Sequence, residues 1–114
     1  MVGRKPYVPD RGDLVWLEFD PQTGHEQAGH RPALILSPKT YNRTASLALA
    51  CPVTSRVKGY PFETALPKGL PITGVVLGDQ IKSLDWRARQ AAFAARAPVA
   101  TVAEVLAKLE TLLR

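Results

Sequence analysis

The segment "HEQAGHRP", residues 25–32, places two histidines, a glutamate and an arginine close together. It resembles H-E-x-x-H, the helical zinc-protease signature, whose histidines at i and i+4 lie about 40° apart around the helix. Here His25 and His30 stand at i and i+5, which separates them by about 140° on a helix. The flanks also oppose a helix: Asp20-Pro21 and Gly24 precede the segment, Gly29 interrupts it and Pro32 follows it, and Gly and Pro are the strongest local breakers. A zinc site needs three or four ligands. The chain has no other histidine, and its one cysteine, Cys51, is far away in sequence. These features disfavour a metal and leave a loop carrying His25, Glu26, His30 and Arg31.

A second basic loop, "TSRVKGYP" at residues 54–61, carries Thr54, Ser55, Arg56 and Lys58. Arginine suits phosphate because its planar fork offers paired donors. A threonine hydroxyl adds a short-range donor, and a nearby acid or base would complete a metal-free RNA-cleaving site. In such a site the ribose 2′-hydroxyl attacks and the protein stabilises the charge that develops on the phosphorus centre. DNA lacks that hydroxyl, so the chemistry selects RNA. Chemistry alone favours plainer roles, a strand-start salt bridge for Arg31 and a turn-forming hydroxyl for Thr54. There is no Gly-rich phosphate loop, nucleophile elbow or Cys-His pairing.

The elements that must position these loops read as follows. "DLVWLEFD", residues 13–20, alternates Leu14, Trp16 and Glu18 with Val15, Leu17 and Phe19, which predicts a strand covered on both faces. Residues 20–31 form a long loop, and long loops on a rigid sheet are where function tends to sit. "PALILSP" reads as a buried strand, "YNRT" as a polar turn, "ASLALACPV" as a strand and "FETAL" as a short one. "PKGLPITG" is turn-rich, and "VVLGDQIKSL" is a strand pair or one strand bent at Gly78. "DWRARQAAFAARAP" is ambiguous: its alanines favour helix, its alternation favours strand. At the C-terminus, "TVAE" fits a capping box from Thr101 to Glu104. Val102, Val105, Leu106, Leu109, Leu112 and Leu113 follow on one helical stripe, with Lys108 and Glu110 facing water. Short strands, Gly/Pro turns and one terminal helix predict a mainly β fold, a small antiparallel barrel or sandwich with a C-terminal α-helix.

With 114 residues the chain suits one domain, residues 1–114, with a core of its own. No apolar run is long enough to span a membrane, and the opening "MVGRKPYVPD" lacks the apolar stretch of a signal peptide. Cys51 has no partner for an internal disulfide and reads as a small buried hydrophobe. Together these features predict a cytoplasmic location. Basic residues exceed acidic ones by 15 − 10 = 5, which favours a polyanionic partner without excluding a merely solvated basic surface.

"GDLVWLEFDPQTGHEQAGHRPALILSP", "KGYPFE" and "GDQIKSLDWRAR", in this order, closely resemble the MazF/PemK-type toxins of bacterial toxin–antitoxin pairs. The likeness runs from about Val8 to Arg89 and is weaker beyond. It implies an SH3-like barrel of the CcdB/PemK type, a homodimer, and a strand rather than a helix at "RQAAFAARA". It also implies a sequence-specific, metal- and cofactor-independent endoribonuclease. Such an enzyme cuts single-stranded RNA to 2′,3′-cyclic phosphate and 5′-hydroxyl ends. By similarity Arg31 and Thr54 are catalytic partners and Glu26 occupies a position the family needs. An arginine gives up its proton only at great cost near neutrality, so the expected role of Arg31 is to clamp the phosphate, stabilise its charge and deliver a proton to the leaving 5′-oxygen. Thr54 would hydrogen-bond the same phosphate, and Glu26 would act as base or orient Arg31. Asp79 matches a position proposed as catalytic in the PemK-like branch. His30 is expected to face away from Arg31, and His25, although its pKa suits acid–base work, lies outside the motif. Both stand with Asp79 as secondary candidates. Arg56, Lys58, Arg87 and Arg89 are candidate RNA-backbone contacts. The resemblance further implies an antitoxin whose acidic, disordered tail folds onto the basic surface. Two other readings suit a barrel of this kind: a non-catalytic, CcdB-like toxin that binds gyrase, and a plain RNA-binding barrel.

Overall fold

The computed structural model describes residues 6–18 and 30–114. Its elements are β1 (Asp13–Glu18), β2 (His30–Ile35), α1 (Lys39–Ala45), β3 (Ala48–Thr54), β4 (Glu63–Ala65), β5 (Val75–Leu77), β6 (Lys82–Leu84), β7 (Ala92–Arg96) and α2 (Val99–Leu113). A short 3₁₀ turn, Gly78–Gln80, separates β5 from β6. All pairings are antiparallel, in the order β4-β5-β3-β2-β1-β7, with β6 added alongside β3. This is the expected mainly β architecture with a C-terminal helix. Among the described residues the sheet has two ends, β4 and β7, that do not pair with each other.

The alternation of β1 buries both of its faces. Leu14 enters a cluster with Leu34, Cys51, Val53, Val76, Val102, Val105 and Leu109, between the sheet and α2. Val15 and Leu17 enter a second cluster with Ala33, Ile35, Ala48, Ala50, Leu84 and Trp86 on the other face. Each buried leucine or valine contributes about 1.5–3 kcal/mol of apolar transfer, so two filled faces suit β1 and β2 to interior positions in the sheet. Phe19 and Asp20, the end of the predicted first strand, and most of the predicted loop at 20–31 lie outside the described residues. The end of that loop is strand, because His30 and Arg31 already pair with Glu18 and Leu17.

Two local expectations are corrected. "YNRT" belongs to the helix α1 rather than to a turn. Asn and Thr are poor helix formers, but Asn42 is fully buried and donates from Nδ2 to the carbonyls of Pro9 and Ser37 at 2.8 and 3.0 Å. Tertiary hydrogen bonds, rather than propensity, hold that helix. The predicted capping box is absent as well: α2 begins at Val99 after Pro98, and no side chain caps it. Thr101 sits inside the first turn, and Glu104 instead reaches forward to Lys108 at 2.9 Å.

The stripe on α2 buries Val102, Val105 and Leu109 as expected, whereas Leu112 and Leu113 in its last turn are exposed. Lys108 does not simply face water: its ammonium also donates to the carbonyl of Glu63 at 2.7 Å and ties α2 to β4. The ambiguous alanine-rich segment is the strand β7. Its register on β1 shifts between Leu14, opposite Ala95, and Val15, opposite Phe93, a bulge that leaves Ala94 over. "VVLGDQIKSL" is two short strands, both laid against β3 and interrupted by the turn that starts at Gly78.

Candidate active site

The β2–β3 ladder pairs Ala33 with Pro52. Continued by two residues, the same register sets Arg31 across from Thr54, the last residue of β3. Both residues line an open pocket of about 320 Å³ at this end of the sheet, with Trp16, Pro32, Ser55, Ile72 and Thr73 among its walls. Arg31, from the end of the first segment, and Thr54, from the start of the second, therefore meet at one end of the sheet. Among the described residues, Arg31 has no carboxylate within ion-pair distance.

Thr54 Oγ1 accepts a hydrogen bond from the backbone N–H of Arg56 at 3.1 Å. This is the turn-forming role, and it is compatible with catalysis because the hydroxyl proton is still free to donate. Gly74 sets the position of Thr54. Its φ is +122°, and a Cβ there would stand 2.1 Å from the Thr54 carbonyl oxygen. Only glycine allows the two backbones to approach so closely. Sequence reasoning missed this residue, although the "PITG" turn directly before β5 was its signal.

Thr54 also borders a second pocket, of about 160 Å³, with Arg56, Lys58, Tyr60, Glu63, Asp79 and Gln80. Asp79, one of the secondary candidates, thus lies beyond Thr54 in this neighbouring pocket; Arg31 does not line it. Arg56 and Lys58 are exposed there. The loop is ordered by Glu63, whose carboxylate accepts the backbone N–H groups of Lys58 at 3.1 Å and Gly59 at 2.9 Å. The sequence shows Glu63 only within a motif and a short strand; its distance from Lys58 across a Gly-Tyr-Pro turn is the cue to this closing role. Tyr60 is exposed, with the Lys58 ammonium 5.8 Å from its ring centre.

His30 follows the expectation that it faces away from Arg31: it alternates with Arg31 on β2, and its Nε2 lies 3.7 Å from the Glu18 carboxylate. Glu26 and His25 lie outside the described residues. Arg89 donates from Nη1 to the Glu18 carbonyl at 3.1 Å, beside the β1–β2 end of the site. Arg87 lies elsewhere, in a pocket with Lys39 and Arg43. Cys51 is fully buried, with Sγ 3.8 Å from the Gly78 carbonyl. Burial first, and the charge of Asp79 second, push its thiol up to about 12, which makes it an inert core residue rather than a nucleophile.

Residues 10–113 match the family model described as the PemK-like, MazF-like toxin of type II toxin–antitoxin systems. The chain belongs to this family. The match extends through α2, beyond the stretch from Val8 to Arg89 that carried the motifs. Over 91 residues the chain is 56% identical to the "Endoribonuclease toxin MazF" of Escherichia coli K12, covering 80% of this chain and 79% of that one. It superposes on MazF from Deinococcus radiodurans with a TM-score of 0.86 at 60% identity, covering 95% and 98% of the two chains. A MazE–MazF structure from the same organism gives a TM-score of 0.86 at 55% identity, covering 95% and 97%. These PemK/MazF likenesses agree with the observed antiparallel sheet and terminal helix. Among the described residues no helix is long and apolar enough to cross a membrane.

Proposed function

We propose that this chain is the toxin of a type II toxin–antitoxin pair and a sequence-specific endoribonuclease acting on single-stranded RNA in the cytoplasm. The observation that carries the proposal is the meeting of Arg31 and Thr54 in one open pocket, with the arginine free of any acidic partner among the described residues. The names of its relatives, an endoribonuclease toxin and a MazE–MazF assembly, support the same reading.

In this mechanism the scissile phosphate sits between Arg31 and Thr54. The ribose 2′-hydroxyl attacks the phosphorus and the bond to the 5′-oxygen breaks, leaving a 2′,3′-cyclic phosphate and a 5′-hydroxyl. The guanidinium offers two parallel donors to the oxygens on which negative charge grows, and it is the nearest group able to pass a proton to the departing oxygen. Thr54 donates its free hydroxyl proton to the same phosphate. Glu26 takes the 2′-hydroxyl proton or orients Arg31. Asp79, Arg56 and Lys58, across Thr54, contact the nucleotides on one side of the cut, with Tyr60 exposed as a stacking surface. The active form is a homodimer, and the acidic tail of a cognate antitoxin covers the basic surface when the toxin is silent.

Incubating the purified protein with RNA in EDTA tests this reading. Cleavage to cyclic-phosphate ends is expected. Intact RNA bound with a steep salt dependence would instead indicate a plain binding barrel, and inhibited supercoiling with intact RNA would indicate a gyrase-directed toxin.

A further inference from the structure

The corner where α1 meets the β6–β7 turn gathers three cations outside the cleavage pocket. Lys39, Arg43 and Arg87, with Pro6 and Val8, line an open pocket of about 470 Å³. Lys39 and Arg43 are exposed and stand one helical turn apart on one face of α1. The Arg87 guanidinium lies 4.7 Å from the centre of the Trp86 ring and donates to Ser46 Oγ at 2.8 Å. Trp86 is itself fixed, its Nε1 donating to the Asn42 carbonyl at 3.0 Å. Asn42 is the buried residue that locks α1 to Pro9 and Ser37. A buried frame therefore holds three cations around one opening.

Like charges stand together here. Lys39 opens α1, whose first turn has no acidic residue of its own and whose N-terminus is met by the Asp10 carboxylate. Arg43 repels Lys39 across one turn. Among the described residues, no carboxylate lies within ion-pair distance of either. The nearby Asp10 carboxylate accepts the backbone N–H groups of Arg11 and Lys39. A bound polyanion would offset the repulsion.

Arg89, two residues beyond Arg87, donates to the Glu18 carbonyl beside the β1–β2 end of the sheet, where Arg31 pairs with the neighbouring Leu17. Three separate cations around one opening suit a strand with repeated backbone charge. An acidic amphipathic peptide would also need an apolar anchor groove, and here Trp86 is buried with Arg87 over its ring.

We propose that Lys39, Arg43 and Arg87 form an exosite for the RNA backbone, holding phosphates of the single strand outside the cleavage pocket. This rests on the ribonuclease reading. The test measures binding of a fluorescent single-stranded RNA long enough to span both pockets, and of a series of shorter ones, to the wild type and to the K39Q/R43Q double variant. Both residues are exposed, and a thermal melt confirms that the variant folds. The expected result is about tenfold weaker binding of the long RNA at low salt, and a loss that shrinks as the RNA is shortened. The slope of log affinity against log salt should flatten by about 1.4, from two phosphate contacts at about 0.7 each. Unchanged affinity and slope would overturn the exosite. Kept RNA affinity with weakened binding of polyglutamate would assign the pocket to an acidic protein and also overturn it. Intact RNA after incubation with the wild type would overturn the ribonuclease reading instead, while the binding data would still decide the pocket.

Discussion

At its first residue β1 buries a carboxylate and satisfies it. Asp13 is 3% exposed, accepts the Tyr7 hydroxyl at 2.5 Å and the Asp10 N–H at 3.0 Å, and pairs with Arg96 at 2.7 Å. At its last residue the same strand leaves charge at the surface. Glu18 and His30 meet loosely at 3.7 Å, and Arg31 lines an open pocket with no acidic partner among the described residues. The difference separates charge that holds the fold from charge that is available to a ligand. Arg96 bridges β1 and β7 through a buried acceptor; Arg31, also a strand arginine, is presented to whatever enters the pocket. Burial with complete hydrogen bonding is what distinguishes them.

The largest expected effect comes from the open end. Arg31→Ala should lower single-turnover RNA cleavage by about 10²–10³ or more, the range for removing one transition-state charge stabiliser, with little change in melting temperature. Near-normal cleavage by the folded variant would break the contrast between the two ends. At the closed end, Asp13→Ala should cost about 2–3 kcal/mol in denaturant unfolding. That is less than the loss of a fully buried pair, because Arg96 is half-exposed and solvent screens it. Cleavage per folded molecule should be maintained, and an unaltered unfolding midpoint would show that the network is not structural.

Thr54→Val sharpens the comparison within the pocket, since it keeps the side-chain shape and removes the hydroxyl. Cleavage should fall about 10–100-fold, the worth of one hydrogen bond to a charged group, without a matching rise in KM. A rise in KM alone would reduce Thr54 to a binding contact. The smallest effect at neutral pH concerns Cys51. Its folded pKa of about 12 lies above the ordinary thiol range, so the neutral thiol is favoured in the fold. Stability from this group is complete at neutral pH and is lost as pH rises from about 9 towards 12, because only the unfolded chain ionises there. Unfolding measured across that window should show a steeper alkaline loss in the wild type than in Cys51→Ala; equal slopes would contradict it.

Much of the central sheet was legible because its pattern is simple. The alternation in "DLVWLEFD" and the apolar runs in "PALILSP" and "ASLALACPV" predicted β1, β2 and β3, and the sites at their ends followed from the loops between them. Arg31 and Thr54 could be named from their types and from the family resemblance. Their meeting could not, since it depends on the register of β2 on β3. The basic pocket was legible only as Arg87. Arg43 lies in "YNRT", whose residue types suggest a turn, and Lys39 just before it, yet both belong to a helix because a buried Asn42 overrides local preference there. Gly74 gave no signal beyond a turn, because its importance is a close backbone approach to Thr54 across strands.

The sequence by itself determined the class of fold and the chemical inventory. Periodicity fixes which faces are apolar, and residue type fixes which groups can grip a phosphate. Only the tertiary structure decided which of fifteen basic side chains share a pocket and which are committed elsewhere. Arg96 and Arg31 read alike in sequence. The buried Asp13 beside one, and the open end of the sheet beside the other, exist only once distant strands have been brought together.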